Sequence, residues 1–514
     1  MGYLLGLDIG TSSVKAVLYD PESGRLTGIA TRPTPVAHPA DGWSEHAPEV
    51  LWQTAAACLK ELTAGKSITG LAISSFAEAG LPVDAGGRPL YPIIAWYDQR
   101  TLPQAEWWKS RIAIAELHAI TGQRLSPSFG VNKWLWLRQN RPEIMKEMKC
   151  WLSVPDFILW RLTGELATDA TIASRTMLFD QGQHGWSHRI LDLVGLDPAM
   201  LPPVYSSGAA AGRVTPAAAT ETGLASGTAC YLGGHDHLCA ALAAGAYRPG
   251  VVVDSMGTAE STLVTLDAFQ SSPEMIAGGY ACYAHVVPGQ YILKAGLHVA
   301  GGAIEWLVRL VSGTVFQDQR GEPLPYAEIE QQAEAGVGRR VGPLWLPHFI
   351  GSGTPEADWN SRAALVGARL EDTPADLGRG LLESLAFWLR HNLVEMERLS
   401  GVTPIQLILL GGANQQPLMG RLKAATTNVP ALQPALPEAS AVGAALLAGM
   451  GAGVFKETAE AVSSLKYSGT VFEPDPNLVK WYAPIYERVY LRLYPALREI
   501  WQEIKLIETG NGTT

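Results

Sequence analysis

Residues Asp8-Ile9-Gly10-Thr11-Ser12-Ser13-Val14-Lys15 gather a carboxylate, three hydroxyls, a turn-forming glycine and a lysine into one short segment. Turn N–H groups and hydroxyls hold phosphoryl oxygens, Lys15 neutralises charge, and a hard carboxylate such as Asp8 holds Mg2+ directly or through water. The Gly-x-x-x-x-Gly-Lys-Ser/Thr spacing of a P-loop is absent, and an ordinary hairpin turn has much the same composition. A second segment, Leu232-Gly233-Gly234-His235-Asp236-His237-Leu238, leads a glycine pair into an aspartate at the start of a small-residue helix. Such an aspartate caps a helix, or it accepts a hydroxyl proton during phosphoryl transfer. His235 and His237 offer two metal ligands, but a metal site needs more than are visible nearby.

Two further segments offer binding surfaces. In Leu409-Leu410-Gly411-Gly412-Ala413-Asn414, followed by Glu438 to Ala445, glycines between a strand and a helix make a slot for a nucleoside or simply allow close packing. Between Ser75 and Arg100, the residues Glu78, Asp84, Trp96, Asp98 and Arg100 bring carboxylates near an indole. Carboxylates accept hydrogen bonds from sugar hydroxyls, and an aromatic face covers C–H surface. A solvated loop beside a core tryptophan would read the same way.

The elements that must position these residues follow from periodicity. Apolar runs at Tyr3–Leu7 and Val14–Tyr19 around a polar turn predict a hairpin, with a third strand after Pro21–Gly24. Val251–Val253 and Leu263–Leu266 flank Gly257 and Thr258 in the same manner, and Gly10, Thr11, Val17 and Asp20 recur as Gly257, Thr258, Val264 and Asp267 with identical spacing. Two hairpins of one type, each opening about half the chain, predict two related domains facing one ligand, with the boundary near Gly245–Gly250. Helices are expected over Ala47–Leu62, Asn132–Gln139 and Pro374–Leu399, the last capped by Asp372 or Thr373, and a strand over Gln406–Leu410. The tail from Glu508 is expected to fray.

Bulk properties exclude several classes. At 514 residues the chain exceeds what one hydrophobic core serves, and 47% hydrophobic with 17% charged residues is a folded composition. A formal charge of -10 argues against nucleic acid as a partner. Cys58, Cys150, Cys230, Cys239 and Cys282 are scattered without a Cys-x-x-Cys pair, so neither a disulfide framework nor a zinc ribbon is expected. No apolar run reaches spanning length and no basic segment precedes Asp8, which predicts a cytoplasmic protein that does not engage the membrane.

Taken in order, LGLDIGTSSVK, PLYPIIAWYDQRT, RLTGELATDATIASRTMLFD, GGHDHLCAALAAG, SMGT, HVAGGAIEWL, LPHFIGSGTPEADWNSRAALVG and LLGGANQQPLMGRLKAATTNVP resemble the FGGY family of carbohydrate kinases from Tyr3 to about Phe455. The resemblance implies an α/β fold of two actin-like (ribonuclease H-like, ASKHA) domains, 1–247 and 248–500 with a C-terminal end 501–514, closing on a small sugar and ATP. It implies that Asp8, through water, holds Mg2+, and that Gly10, Thr11, Ser12, Ser13 and Lys15 face the transferred phosphoryl group. Gly257 and Thr258 would cover that group from the second domain, with Gly301, Gly411, Gly412 and Asn414 at the nucleotide. Asp236 matches the family's general base, and Ala77, Glu78, Trp96, Asp236 and His237 match its sugar contacts. A homodimer is also what the family suggests.

The specificity positions depart from the best-known subfamilies. Where this chain has Ala77-Glu78, xylulokinases typically carry Met-His and glycerol kinases Arg-Glu, and Ser128 stands where glycerol kinases usually carry Tyr. The C-terminal half, with Gly353-Thr354-Pro355 and GGAN, looks more like xylulokinases, so a ketopentose such as D-xylulose is the expected acceptor. Glycerol, erythritol, ribulose and gluconate are the alternatives, and an actin-like protein driven by nucleotide without sugar chemistry is the reading from a different class.

Overall fold

The architecture is a tandem of one sheet topology, seen in a computed structural model that describes residues 2–311, 331 and 333–510. In the first half, β1 (Tyr3–Ile9), β2 (Ser13–Asp20) and β3 (Arg25–Pro33) form an antiparallel meander, and β4 (Ile68–Ser75), β5 (Ala210–Arg213) and β6 (Ala229–His235) extend it in the order β5-β6-β4-β1-β2-β3. β4 runs parallel to β1, and β6 parallel to β4. The second half repeats this with β7 (Val251–Met256), β8 (Glu260–Leu266), β9 (Ala281–Ala284), β10 (Tyr291–Leu297), β11 (Gln406–Leu410), β12 (Ala431–Pro434) and β13 (Gly469–Phe472), ordered β9-β10-β8-β7-β11-β12-β13. Each half is thus an antiparallel meander, of three strands in the first and four in the second, continued by two parallel strands and closed by one antiparallel edge strand.

The repeat holds in topology and fails in residue register. β1 pairs β2 as Asp8↔Lys15 and Ile9↔Val14, whereas β7 pairs β8 as Ser255↔Ser261 and Met256↔Glu260. The second turn is therefore one residue shorter. With a side-chain period of two, a one-residue slip exchanges the faces of a strand, so Val17 and Val264 are not counterparts although their spacing matches. The glycine and threonine of the two turns are all that the match places correctly.

The predicted helices form where expected: α1 (Pro48–Thr63), the segment Gly130–Asn140, and α4 (Pro374–Ser400), which starts at a capping box between Thr373 and Asp376. The C-terminal helix runs over Leu491–Glu508, and residues 511–514 of the expected frayed tail lie outside the described residues. All five cysteines are free and buried. Among the described residues no helix is long and apolar enough to cross a membrane.

Two helices lie between the sheets and join the halves. α2 (Asp236–Ala243) and α6 (Ala439–Gly451) share one apolar cluster with Leu4 and Val17 of the first sheet and Val251, Val253, Leu263 and Ile408 of the second. α6 comes from the C-terminal half yet packs on β1, β4 and β6. The contact is backbone to backbone: a Cβ on Gly6 would sit 1.8 Å from the Ala441 carbonyl oxygen, and one on Gly443 1.9 Å from that of Cys239. Gly443→Ala therefore sets a helix-propensity gain of about 1 kcal/mol against overpacking of about 1–3 kcal/mol. Because the obstacle is rigid backbone the overpacking prevails, and a lowered unfolding midpoint is expected in a thermal melt; an unchanged or raised midpoint would contradict the close crossing.

Candidate active site

The first half-site is built at the C-terminal ends of parallel strands, where the chain leaves the sheet. Asp8, one residue before the end of β1, is 8% exposed and accepts a 2.7 Å hydrogen bond from Ser74 Oγ of β4. The Gly10–Ser13 turn closes through Gly10 N–H to the Ser13 carbonyl, and Thr34 braces it by donating to the Gly10 carbonyl at 2.7 Å. Lys15 stands opposite Asp8 in the pairing register, and its ammonium forms a 2.5 Å ion pair with Glu438, just ahead of α6. The lysine expected to meet phosphate is thus held by a carboxylate from the other half of the chain, a partner that no local spacing announces.

Asp236 opens α2 at the end of β6, and its Oδ1 accepts the His237 N–H at 2.6 Å. Burial pushes its carboxyl up to about 7, the Glu78 charge adds to this, and the His237 N–H, Lys294 and Arg175 oppose it. Burial likewise pushes Asp8 up to about 7, reinforced by the Asp236 charge and opposed by Ser74 and Lys15. The two carboxyls sense each other across the site and titrate as a pair. The Asp8 carboxylate, buried and held through one oxygen by Ser74 Oγ, is a hard donor that fits a dication such as Mg2+.

A proton acceptor must be ionised to act, so a pair near 7 predicts an acid limb near neutrality in the pH profile of kcat/KM, against 3.8 for an ordinary aspartate. Activity falls with decreasing pH through that limb as the carboxylate is protonated. A profile flat from pH 8 to pH 5 would contradict the assignment. The stability effect has the opposite sense: between the unfolded and folded pKa values the folded state binds more protons, so these groups favour folding less as pH rises through that window.

The residues around Glu78 and Trp96 are carried by a small sheet of Glu45–His46, Gly80–Val83, Ile93–Ile94 and Cys150–Ser153. Glu78 takes a left-handed backbone conformation, φ 65°, just before one of these strands. Its carboxylate is clamped by Arg175, which donates Nε at 2.7 Å and also Nη2, and Arg175 Nη1 donates to Gln123 Oε1 at 2.8 Å. Trp96 is 39% exposed and donates its indole N–H to Thr11 Oγ1 at 3.0 Å, joining the indole to the first turn. Ala77 is buried and contributes no polar side-chain atom. Asp98 and Arg100 pair with each other and with Ser44 and Glu45, while Asp84 binds Arg88, so these three are scaffold.

His237 packs edge-on against His235, and ligand atoms of His235, Asp236 and His237 lie within 4.8 Å of one another. Arg175 and Lys294 bear on the same three side chains. Those cations favour a proton-accepting carboxylate there over a bound divalent ion.

The second half-site repeats the first. Gly257 N–H closes the β7–β8 turn on the Ala259 carbonyl, and α3 (Gly301–Val311) starts against it, Ala300 N–H donating to the Thr258 carbonyl and Gly301 N–H to that of Gly257. A Cβ on Gly301 would sit 2.3 Å from the Gly257 oxygen, and Gly411, at φ 84°, would collide with Met256. Gly412 faces open space. Asn414, fully buried, turns its side chain inward: Nδ2 donates to the Asp254 carbonyl, Asp254 Oδ2 and the Leu410 carbonyl, and Oδ1 accepts from Lys423. The expected nucleotide contact of Asn414 is therefore not open to its side-chain amide, which is taken up in the core, and its backbone N–H and carbonyl are engaged by the Gly411 carbonyl and by Gln433 Nε2.

Sequence reasoning missed the basic wall of the site. Arg175 and Lys294 come from separate segments and converge around Glu78 and Asp236, and Arg124 stands beside these two cations. The only local signal was that Arg175 lies in the RLTGELATDATIASRTMLFD stretch.

Comparison with known proteins accounts for nearly the whole chain. The N-terminal domain pattern of the FGGY family of carbohydrate kinases matches residues 3–243 and its C-terminal domain pattern residues 252–452. The chain is 31% identical over 476 residues to a glycerol kinase of Citrifermentans bemidjiense, covering 89% of this chain and 92% of that one. It is 27% identical over 511 residues to a xylulose kinase of Lactococcus lactis, covering 98% and 99%. The crystal structure of xylulose kinase from Rhodospirillum rubrum superposes with a TM-score of 0.87 at 27% identity, over 97% of this chain and 100% of that one. The duplicated sheet, the paired turns and these matches have one explanation: the chain belongs to the FGGY family of carbohydrate kinases, ATP-dependent enzymes that phosphorylate a sugar or polyol.

Proposed function

We propose that the chain transfers the γ-phosphoryl group of ATP to a primary hydroxyl of a small sugar, with Asp236 as general base and a ketopentose such as D-xylulose as reference acceptor. One observation carries this reading. Asp236 is the electrostatic neighbour both of Asp8, beside the phosphate-type turn, and of Glu78, on the sugar side. A base must stand at that junction, since the hydroxyl it deprotonates is the one that meets phosphorus.

In the proposed step the acceptor oxygen forms its bond to the γ-phosphorus, its proton passes to Asp236, and the bond from phosphorus to the β,γ-bridging oxygen breaks to release ADP. Positioning and charge neutralisation provide most of the rate. Mg2+, when bound beside Asp8, supplies charge neutralisation on the phosphates. The Gly10–Ser13 turn with Lys15 orients the transferred group, Gly257 and Thr258 cover it, and Gly301, Gly411 and Gly412 leave room for the nucleotide. Closure of the domains 1–247 and 248–500 excludes water, which otherwise competes as acceptor.

Two relationships bear on the acceptor. The xylulose kinase of Lactococcus lactis aligns over 98% of this chain, and the Rhodospirillum rubrum enzyme over 97%. The glycerol kinase is slightly more identical over 89%, and Glu78 supports a polyol by the glycerol-kinase pattern. The test is a coupled ADP-release screen with Mg-ATP against ketopentoses, aldopentoses, hexoses, tetritols, glycerol and aldonates. Stimulation by D-xylulose above the polyols is expected; stimulation by glycerol alone would make Glu78 the specificity residue, and none by any acceptor would overturn the kinase reading.

A further inference from the structure

Three backbone acceptors of the phosphate-type turn are covered from within the protein. The Gly10 carbonyl takes the Thr34 hydroxyl at 2.7 Å, the Ser12 carbonyl takes the Thr34 N–H at 3.0 Å, and the Ser13 carbonyl takes the Gly10 N–H at 3.0 Å. A phosphoryl group brings only acceptor oxygens, so each acceptor engaged elsewhere removes a repulsion from the place where it must sit. The Thr11 side chain is ambiguous by itself, because a hydroxyl carries one donor and two acceptor lone pairs and rotates to present either.

Trp96 removes that ambiguity. Its indole N–H meets Thr11 Oγ1 at 3.0 Å, and no other described residue bonds that hydroxyl. An indole nitrogen can only donate, so this bond, unlike one between two hydroxyls, has a fixed sense: Thr11 accepts, and its own proton is left free to be donated elsewhere. Burial does not explain the bond. Trp96 is 39% exposed, and water would satisfy its N–H equally well.

The segment that carries the indole is held firmly on both sides. Ala95 N–H donates to the Ser44 carbonyl at 3.0 Å, and Asp98 N–H to the Ala95 carbonyl at 3.2 Å. Asp98, 3% exposed, accepts from Ser44 N–H at 2.6 Å and from Arg100 Nε and Nη2 at 2.8 Å each, while Arg100 lies over the Trp43 ring, 3.8 Å from its centroid. The small sheet thus extends a fixed arm to a turn of the main sheet. One side chain offers its ring face to the acceptor and its N–H to the phosphate turn.

We infer that Trp96 is a positioning residue for phosphoryl transfer as well as an acceptor contact: its indole N–H fixes Thr11 as an acceptor and so leaves the Thr11 hydroxyl proton as a donor to the transferred phosphoryl group. This role rests on the kinase reading above and adds to it a link between its two half-reactants. Among the hydroxyls of the turn it singles out Thr11 as the one whose sense is set from the acceptor side, and it makes the value of the indole N–H conditional on the Thr11 hydroxyl.

That conditionality is the test. Trp96→Phe keeps an aromatic face and deletes the N–H, Thr11→Val and Thr11→Ala delete the hydroxyl, and Thr11→Ser keeps it. Steady-state ADP release is measured on the full-length protein with Mg-ATP and D-xylulose, or whichever acceptor of the screen has the highest kcat/KM. In the wild-type chain Trp96→Phe should lower kcat by about tenfold, the order of one charge-assisted hydrogen bond, with the acceptor KM changed by less than about twofold. In the Thr11→Val and Thr11→Ala backgrounds the same replacement should lower kcat by less than about twofold, whereas Thr11→Ser should retain the tenfold sensitivity. An equal loss of kcat in all backgrounds, no loss in the wild-type chain, or a loss confined to the acceptor KM means that the indole is an aromatic plate with no hold on the turn; each overturns the inference and leaves the kinase reading intact. ADP release that no acceptor stimulates overturns both.

Discussion

Asp236→Ala loses turnover by about 10²–10⁴-fold while nucleotide affinity is preserved, the range that positioned general bases contribute. The carboxylate sits at the first residue of α2, joined to the acceptor side through Glu78 and to the phosphate side through Asp8. Stability separates this loss from misfolding. The Asp236 carboxyl is held up to about 7 chiefly by burial, so its ionised form is unfavourable in the fold, and its removal should leave the unfolding midpoint unchanged or raised. Asp236→Asn, which keeps the shape and removes the basicity, should be about as inactive as the alanine variant. Turnover measured by ADP release and nucleotide affinity by calorimetry decide the matter: full turnover in either variant would remove Asp236 from the mechanism.

Lys423→Met carries the largest expected cost in stability, about 3–5 kcal/mol. Lys423 of α5 (Pro417–Thr427) is completely buried and donates to Asp254, to Glu260 at 2.7 Å and to Asn414 Oδ1 at 2.8 Å. Removing the ammonium leaves the Asp254 carboxylate without its counter-charge and Glu260 without its hydrogen-bond donor. Burial already pushes Glu260 up to about 8 in spite of Lys423, so the acid retains its proton at neutral pH and Lys423 mainly balances Asp254. Desolvation is therefore the term that prevails, and it is large. The same lysine fixes Asn414, whose amide ties the turn after β11 to β7, so weaker nucleotide binding should accompany the lost stability. Denaturant unfolding reads the first effect and titration with ADP the second. A loss below about 1 kcal/mol would mean that the network relaxes or admits water.

The strands, the hairpins and the long helix were legible because their causes are local. Apolar runs at Tyr3–Leu7 and Val14–Tyr19, turn residues between them, and Thr373 ahead of an apolar period act within a few residues of one another. The doubled hairpin was legible for the same reason, and its over-literal part failed for a local one: the β7–β8 turn is a residue shorter, so Val264 does not repeat Val17. Of the site, the two turns, Asp8 and Asp236 could be picked out because each stands where a strand gives way to a turn or a helix. The character of Glu78 could not, since it depends on Arg175 almost a hundred residues away.

By itself, then, the sequence determined which residues meet at each turn and the family to which their order belongs. Tertiary structure alone decided the charge state of the Asp8–Asp236 pair, the pairing of Lys15 with Glu438, the inward turn of Asn414 and the convergence of Arg175 and Lys294. Periodicity and turn chemistry are sums over neighbours along the chain. Desolvation and Coulomb energy depend on distances that exist only once α6 has crossed Gly6 and the halves have closed on each other.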